Sequence, residues 1–286
     1  MAGMFGLFDY TKEGPGVSKQ QAQKKGFFAF FELYFRNFWA LAKLSAVSFL
    51  FCLPLVTNGL VSCGLTHVTR SMTRQKHSFG FSDYFEAIQK NKKQAWIFGL
   101  LNVLVTAVLG FDLYFFYMNV LHAQNPVFAV LGLGISMFFA VCVTFMKYYL
   151  WTMMITFSLS FKMLLKNCFR CVFLNIGRNL LIACSLGLLY AVMIAVPILG
   201  NFQVWSLLIS LILAIFIFPG FKAFLVQANT FPTIKKYMID PYYAVHKGED
   251  IEKRLALGLE VPEDELPQKT EAVFSDEQQD TGLSNT

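Results

Sequence analysis

The sequence predicts an all-helical integral membrane protein, a polytopic bundle of transmembrane helices. Hydrophobic residues make up 56% of the 286 residues, the mean hydropathy is +0.51, and only 15% of the residues are charged. A soluble domain carries about 25% charged residues and shorter apolar runs. Four long apolar runs lie at 95–121, 127–146, 180–199 and 204–224. Each approaches the ~20 residues that an α-helix needs to cross ~30 Å of hydrocarbon.

The chain begins with a polar segment, residues 1–26, which holds Lys12, Lys19, Lys24 and Lys25. No apolar stretch precedes Phe27, so the pattern of a cleavable signal peptide is missing. We expect a cytoplasmic or interfacial N-terminal segment at 1–26. The transmembrane domain is expected at 27–245.

The stretch FCLPLVTNGLVSCGL, residues 51–65, is either the middle of one span or the turn of a hairpin. Pro54 lacks a backbone donor and clashes with the preceding turn, so it is a plausible helix break. With a hairpin of 38–53 and 55–69, all 24 Lys and Arg residues fall on the cytoplasmic side or its interface. The sequence therefore predicts six transmembrane helices as three hairpins, with both termini cytoplasmic. A re-entrant first hairpin is the alternative.

The stretch FKMLLKNCFRCVF, residues 161–173, predicts a helix at the cytoplasmic membrane interface. Lys162, Lys166 and Arg170 are spaced by four residues and form one basic stripe. This stripe either meets anionic lipid headgroups or docks a partner protein. Lys147 and Lys222 lie near the inner boundary of their spans, where we expect them to extend toward the headgroups.

The tail, residues 246–286, differs in composition from the rest of the chain. Residues 249–286 hold eleven Asp or Glu and three Lys or Arg, a net charge of −8. Few large apolar residues are present. The composition predicts a disordered, cytoplasmic tail.

Polar residues inside the apolar runs mark a candidate intramembrane site. Asp112 is the one acidic residue well inside a predicted span, where a carboxylate costs about 2.5–3.5 kcal/mol to insert. Asn58, Ser62 and Thr66 form a row at helical spacing, and Asn102 lies on the third span. The row of Asn58, Ser62 and Thr66 either lines a water-filled cavity or, with the neighbouring small residues, packs helices closely together. Asp112 is either a ligand for a proton or substrate, or a carboxylate at the outer interface that is hydrogen-bonded to a neighbouring tyrosine or backbone group.

Catalytic and cofactor motifs are missing from the sequence. The six cysteines lie mostly in apolar runs, and the pair Cys168 and Cys171 has no second Cys or His pair nearby to complete a zinc site. Phosphate-binding loops, metalloprotease motifs and nucleophile elbows do not occur. Basic residues at membrane boundaries do not predict a nucleic-acid groove. We expect no enzyme activity, no cofactor, no metal and no nucleic-acid partner.

Four stretches, FELYFRNFW, FCLPLVTNGLVSCGLTHV, SDYFEAIQKNKKQA and the opening MFGLFDYTKEGPGVSK, resemble the YesL-like membrane proteins, domain of unknown function family 624. The resemblance covers roughly residues 4–245. It departs at Gly59-Leu60, where the family often has Gly-Pro, so the second span is expected to be less kinked. The family is bacterial and mainly Gram-positive, which implies a multi-pass protein of the bacterial cytoplasmic (plasma) membrane.

Two features imply a function. One is this resemblance, and the other is the set of Lys and Arg residues predicted at the cytoplasmic face of the membrane domain. The family's genes often lie beside carbohydrate ABC importers, glycoside hydrolases and sugar-responsive two-component systems, and no catalytic residues are established for it. We therefore expect an accessory or regulatory partner of a carbohydrate ABC importer or of a sugar-sensing system. Membrane lipids and importer permease or sensor kinase subunits are the expected partners. A small-solute transporter or channel with a polar intramembrane cavity is the alternative, and the oligomeric state stays open.

Overall fold

The computed structural model describes residues 27–76, 78–122, 126–157, 159–246 and 251. These residues form helices and connecting turns, without a β-strand among them. The α-helices are α1 Phe27–Arg36, α2 Phe38–Cys52, α3 Asn58–Thr73, α4 Phe81–His122, α5 Val127–Thr156, α6 Phe161–Leu174, α7 Ile176–Leu199, α8 Val204–Ile212, α9 Phe218–Ile234 and α10 Asp240–Val245. A 3-10 helix, Leu55–Thr57, precedes α3, and π-helical turns lie at Leu213–Ile217 and Lys235–Ile239.

In the part of the chain that the structure describes, four helices are long and apolar enough to cross a membrane, which confirms the prediction of a helical membrane protein. They are α4, α5, α7 and the helical run Val204–Val245, with 42, 30, 24 and 42 residues. α2 and α3 have 15 and 16 residues, fewer than a full crossing needs. A helix is present as predicted at 161–173, and it is α6.

Buried residues concentrate at one end of the four long helices, which we call the core end. α3 lies at its centre and packs against α2, α4, α5 and α9. Tyr34 of α1 places its ring against Phe221 and Phe224 of α9, with ring centroids 5.4 and 5.7 Å apart. α6 packs against α5 and α7. The short helices α1, α2, α3 and α6 therefore all pack at the core end.

The opposite part of the long helices, the far end, is mostly exposed. It comprises 100–122 of α4, 127–141 of α5, 187–199 of α7 and 204–217. In these stretches only Ala129, Ser136 and Ser206 are buried. Large apolar side chains such as Phe111, Leu188 and Trp205 are more than two-thirds exposed. An apolar surface this extensive needs a non-aqueous environment, so lipid is the expected surrounding of the far end.

α2 is fixed to the helical run that begins at Val204. α2 packs against the π-helical turn Leu213–Ile217 and against α9. Ser45 accepts a hydrogen bond from the backbone nitrogen of Gly220 at 2.8 Å and donates to the carbonyl oxygen of Leu41 at 2.7 Å. A π-helical turn shifts the register of backbone hydrogen bonds, and here a side chain of a neighbouring helix satisfies a backbone donor just after the turn.

The chain divides into two compact units, the first ending at Ile234 and the second beginning at Lys235. The described helices of the second unit are the π-helical turn Lys235–Ile239 and α10, where Tyr242 stacks on His246 at a centroid distance of 4.4 Å. The predicted N-terminal segment 1–26 lies outside the described residues. So does the predicted acidic tail, apart from His246 and Ile251.

Candidate functional site

The polar row predicted on α3 forms hydrogen bonds within α3 and to the end of α2. Ser62 donates its hydroxyl to Oδ1 of Asn58 at 3.3 Å, and the Cys52 thiol donates to the same oxygen at 3.5 Å. Thr66 is buried. Among the described residues, these hydrogen bonds join side chains near the α2–α3 connection and do not reach Asn102 or Asp112.

Among the described residues, the two predicted polar residues of α4 share no hydrogen bond with this row or with each other. Asn102 has a buried Oδ1 atom without a hydrogen-bond partner among the described residues. Asp112 is half-buried and, within the same described ranges, has neither a hydrogen bond nor an ion pair. Ten residues separate Asn102 from Asp112, a rise of about 15 Å along a helix. Asp112 therefore does not share a site with Asn102.

A shallow surface hollow of about 330 Å³ lies at the far end of α4. Its described lining residues all belong to α4 and do not include Asp112; they are Phe111, Tyr114, Phe115, Met118, Asn119 and His122. A hollow along one helix encloses little of a ligand, whereas small-molecule sites are concave and bury most of the bound molecule.

The basic stripe of α6, Lys162, Lys166 and Arg170, is fully accessible. All three side chains are exposed. The exposed rings of Phe169 and Phe173 lie on the same side of the helix as this stripe and contact each other edge to face, with centroids 5.1 Å apart. This face alternates positive charge with aromatic surface, which suits either a protein partner or the headgroup region of a membrane.

The opposite face of α6 is anchored in the core end. Leu164, Cys168, Cys171 and Val172 are buried there, and the Cys168 thiol lies 3.7 Å from the Met153 sulfur of α5. Burial raises the pKa of Cys168 to about 12 and that of Cys171 to about 11. Thiols held neutral in this way are poor nucleophiles and metal ligands, so the pair acts as packing.

A buried polar seam between α5, α7 and α9 was not predicted from the sequence. Gln227, 1% exposed, donates from Nε2 to the Thr152 hydroxyl at 2.7 Å. Tyr149 donates its hydroxyl to Oδ1 of Asn179 at 2.8 Å, and Asn179 donates from Nδ2 to the Val172 carbonyl oxygen at 3.0 Å. Because each removed partner leaves a buried polar group unsatisfied, this seam fixes how the helices pack.

The sequence contains a pattern that indicates the α9 side of this polar seam. Gln227, Thr230 and Thr233 recur every three residues in an apolar stretch, which indicates a polar row on one face of a helix. All three are buried. The partner positions on α5 and α7 depend on which helices become neighbours, and periodicity alone does not give that.

Arg70 joins α3 to the last turn of α5. Its Nη1 atom donates to the Ile155 carbonyl oxygen at 3.2 Å and to the Thr156 hydroxyl at 2.9 Å. The last four carbonyl groups of an α-helix lack intrahelical donors, so this arginine caps the C-terminus of α5. Arg74, one turn later, places its guanidinium 3.5 Å from the centroid of the Phe231 ring on α9. The two arginines hold α3 between α5 and α9.

Lys147 was expected to extend toward the lipid headgroups, but its side chain has a different direction. Its ammonium donates to the Thr106 hydroxyl of α4 at 2.7 Å, so it extends sideways to a neighbouring helix. Lys222 places its ammonium 6.0 Å from the centroid of the Phe218 ring.

Metal chemistry has no support in the described part of the chain, where no three His, Cys, Asp or Glu side chains group closely enough to hold an ion. Comparisons with protein-family models, curated proteins and solved structures gave no match to this chain.

Proposed function

We propose that this chain is a non-enzymatic accessory or regulatory membrane protein that docks another membrane protein. The resemblance stated above gives the partner class, a permease subunit of a carbohydrate ABC importer or a sensor kinase of a sugar-sensing system. It also gives the location, the cytoplasmic membrane of a Gram-positive bacterium. The observation that carries the proposal is the outward face of α6, where a basic stripe and two aromatic rings stay uncovered by the described residues.

The orientation follows from the basic residues. Residues 94–146 and 179–221 contain no Lys or Arg, and these stretches hold the entire far end. Lysines and arginines in short loops favour the cytoplasm, so the core end with α6 is the cytoplasmic end. With four spanning helices, or with six, both chain termini lie on this side.

For the first hairpin we favour the re-entrant arrangement over two full spans. α2 and α3 would be about 22 and 24 Å long, against ~30 Å of hydrocarbon. The π-helical turn that α2 contacts begins nine residues after Val204, about 14 Å from that end of the helix. The hairpin turn carries exposed apolar side chains, namely Leu50, Phe51, Leu53, Leu55 and Val56. A hairpin that enters from the cytoplasmic side and stops within the bilayer covers these side chains with lipid.

The geometry of α6 explains how a rigid docking surface arises from a short helix. A 14-residue helix alone is marginally stable in water, but four buried side chains fix this one to α5. Its charged face then points away from the core end without further ordering on binding. Preorganised surfaces lose less conformational entropy when a partner docks.

The proposal is tested by affinity purification of the tagged chain from its native membrane in mild detergent, followed by mass spectrometry. We expect permease or sensor kinase subunits to be recovered with the unmodified chain. The combined variant Lys162→Glu, Lys166→Glu and Arg170→Glu should lose them, because it reverses the charge of the docking face.

A matched control reverses three exposed charges elsewhere at the core end, with Lys92→Glu, Lys93→Glu and Arg178→Glu. This control should retain the partner. Equal recovery from the stripe variant and the unmodified chain would contradict docking through α6. Loss of bound anionic lipid from the stripe variant, with no protein recovered from any sample, would show that the face binds headgroups only.

A small-solute transporter is the second candidate, favoured by the buried Oδ1 atom of Asn102 on α4, which has no hydrogen-bond partner among the described residues. It predicts solute flux in liposomes that Asp112→Asn alters without loss of expression. The scattering of the five predicted polar residues over separate contacts favours the accessory function over this one.

A further inference from the structure

The first two helices present a row of exposed side chains at the core end. Phe35, Trp39 and Lys43 are spaced by four residues, so they follow one another along one face of α1 and α2. Phe35 and Trp39 are 65% and 76% exposed, and Lys43 is exposed as well. Asn37 separates the two helices, but its carbonyl oxygen still accepts a hydrogen bond from the Leu41 nitrogen at 2.9 Å. The row therefore continues from α1 into α2.

The opposite face of these two helices is fixed to α9. The Tyr34 ring lies against the rings of Phe221 and Phe224, with centroid distances of 5.4 and 5.7 Å. Ser45 accepts a hydrogen bond from the Gly220 nitrogen at 2.8 Å. Tyr34 and Ser45 are both buried in these contacts. Because this face is held by the protein, the row on the other face points outward.

The contacts with α9 also set the depth of the row in the membrane. Gly220 and Phe224 follow Val204 by sixteen and twenty residues, a rise of about 24 and 30 Å along the helix. The hydrocarbon is ~30 Å thick, so these two residues lie close to its inner boundary when Val204 lies at the outer one. Lys43 and Trp39 precede Ser45 by two and six residues. They therefore lie at the level where the headgroups of the cytoplasmic leaflet begin.

The side chains of the row suit this level. Tryptophan combines a large apolar ring with a polar N–H group and is enriched where membrane and water meet. Within the described ranges, Lys43 forms no ion pair with a carboxylate. Side chains of an α-helix lean toward its N-terminus, which for α2 faces the cytoplasm in the orientation proposed above. The Lys43 ammonium therefore reaches toward the headgroups while its methylene groups cover apolar surface.

The surroundings of the row favour lipid as its occupant. Leu50 lies seven residues beyond Lys43, two turns along the same face, and is 63% exposed. It belongs to the hairpin turn that the proposed orientation places in lipid. The row thus continues a lipid-exposed surface up to the headgroup level.

We propose that Phe35, Trp39 and Lys43 bind phospholipids of the cytoplasmic leaflet, with the two rings at the headgroup level and the Lys43 ammonium on a phosphate group. The first hairpin, too short to span the bilayer, is then held at its depth from two sides. Gly220 holds it from inside the protein, and this row holds it from the lipid side. Only the membrane orientation proposed above is needed for this, and the partner of α6 is not.

The test measures the depth of Trp39 in the full-length chain, reconstituted in nanodiscs of phosphatidylglycerol and phosphatidylcholine. Trp96, Trp151 and Trp205 are replaced by Phe, which leaves Trp39 as the single tryptophan of this parent chain. Lipids with bromine near the first, middle or last carbons of the acyl chain quench an indole at that depth, and iodide quenches one that faces water. We expect the shallowest bromines to quench Trp39 at least about twofold more than the deepest, because the ring prefers the interface.

A reference chain carries its tryptophan at the far end. Phe111→Trp, combined with Trp39→Phe and the same three replacements, places the indole eleven residues from His122, about 17 Å along α4 and near the middle of the hydrocarbon. The deepest bromines should quench this chain most. The contrast between the two chains shows that the bromines report depth.

The variant Lys43→Glu tests the phosphate contact in the parent chain. A carboxylate is repelled by phosphate, so we expect iodide to quench Trp39 at least about twofold more than in the parent. Lys43→Arg keeps the charge and should match the parent. Lys93→Glu reverses an exposed charge on α4 and should match it as well. Equal iodide quenching of the Lys43→Glu variant and the parent would overturn the role of Lys43.

The quenching profile of the parent chain decides the proposal even if the Lys43→Glu variant fails to fold. Quenching of Trp39 by iodide and by none of the brominated lipids would place the row in water. Quenching by neither would mean that a second copy of the chain covers it. Either result would overturn the proposal.

Discussion

Gly59 of α3 and Gly99 of α4 bring the backbones of these two helices into direct contact. A Cβ atom on Gly59 would lie 2.6 Å from the Cα atom of Gly99 and 2.9 Å from its nitrogen. Small residues at such crossings let membrane helices approach closely, and the gain comes from dispersion contacts along both helices. This contact holds α3 at the centre of the core end.

The variant Gly59→Ala should destabilise the protein. The added methyl group meets backbone atoms that cannot rotate away, and overpacking of this kind costs about 1–3 kcal/mol. We expect a clear decrease in the melting temperature in detergent. Gly110→Ala is the matched control, because nothing lies within 4 Å of a Cβ there and alanine favours the helix. Equal melting temperatures for the two variants would show that the Gly59–Gly99 contact is not close.

Replacing Arg70 should loosen α3 from α5. Arg70→Gln removes two charge-assisted hydrogen bonds to Ile155 and Thr156, and hydrogen bonds to charged groups contribute about 1.5–3 kcal/mol. We expect a lower melting temperature and faster hydrogen exchange at the end of α5. Arg36→Gln, at an exposed position, is the control. Unchanged exchange at Thr156 in the Arg70 variant would argue against the cap.

The contact between Gln227 and Thr152 is tested by a double-mutant cycle. Thr152→Val leaves the buried Gln227 amide without its acceptor, which costs about 1–3 kcal/mol. Adding Gln227→Leu should recover part of that loss, because both polar partners are then gone. Thermal unfolding of the two single variants and the double variant gives the coupling. Strictly additive effects would mean that the two side chains do not interact.

The thiols of Cys168 and Cys171 should resist alkylation in the folded protein. Burial raises their pKa from the usual 9.0 to about 12 and about 11, so the reactive thiolate is scarce near pH 8. Labelling of these two residues should stay slow until the pH approaches 11, and become fast near pH 9 once dodecyl sulfate unfolds the chain. Peptide mapping by mass spectrometry measures both rates. Fast labelling of the folded chain at pH 8 would contradict their burial.

The sequence predicted what depends on local pattern. The long apolar runs predicted the four helices that are long enough to span a membrane, and residues 161–173 predicted α6. Both predictions were possible because the length and periodicity of a helix depend on consecutive residues. The sequence did not predict the polar seam, since the contact of Gln227 with Thr152 joins positions 75 residues apart. The same limit applies to the predicted polar site. Asn58 and Asp112 are both polar, but the sequence does not show whether they are close in space.

The sequence pattern also does not determine how deeply the first hairpin enters the bilayer. Pro54 and the positive charges set the break and the side of entry, and both fit a full hairpin or a re-entrant one. The contact of α2 with the π-helical turn Leu213–Ile217 favours the re-entrant arrangement, as the short lengths of α2 and α3 do, because the turn lies part-way along a helix long enough to span the membrane.

Labelling from outside intact cells separates these two arrangements. Val56→Cys, in the hairpin turn, should not react with a membrane-impermeant maleimide, because a re-entrant turn stays within the bilayer. Asn201→Cys, in the connection between α7 and α8, should react and serves as the positive control. The unmodified chain gives the background of its native cysteines. Labelling of Val56→Cys as strong as that of Asn201→Cys would establish two full spans.

The central claim, that the outward face of α6 docks a partner protein, is tested most directly by photo-crosslinking in the native membrane. A photoreactive phenylalanine analogue at Phe169 lies between the charges of the basic stripe, and the same analogue at Phe111 lies at the lipid-exposed far end. We predict a discrete protein adduct at Phe169 that disappears when Lys162, Lys166 and Arg170 are reversed to Glu, and no such adduct at Phe111. Lipid adducts alone at both positions would contradict the claim.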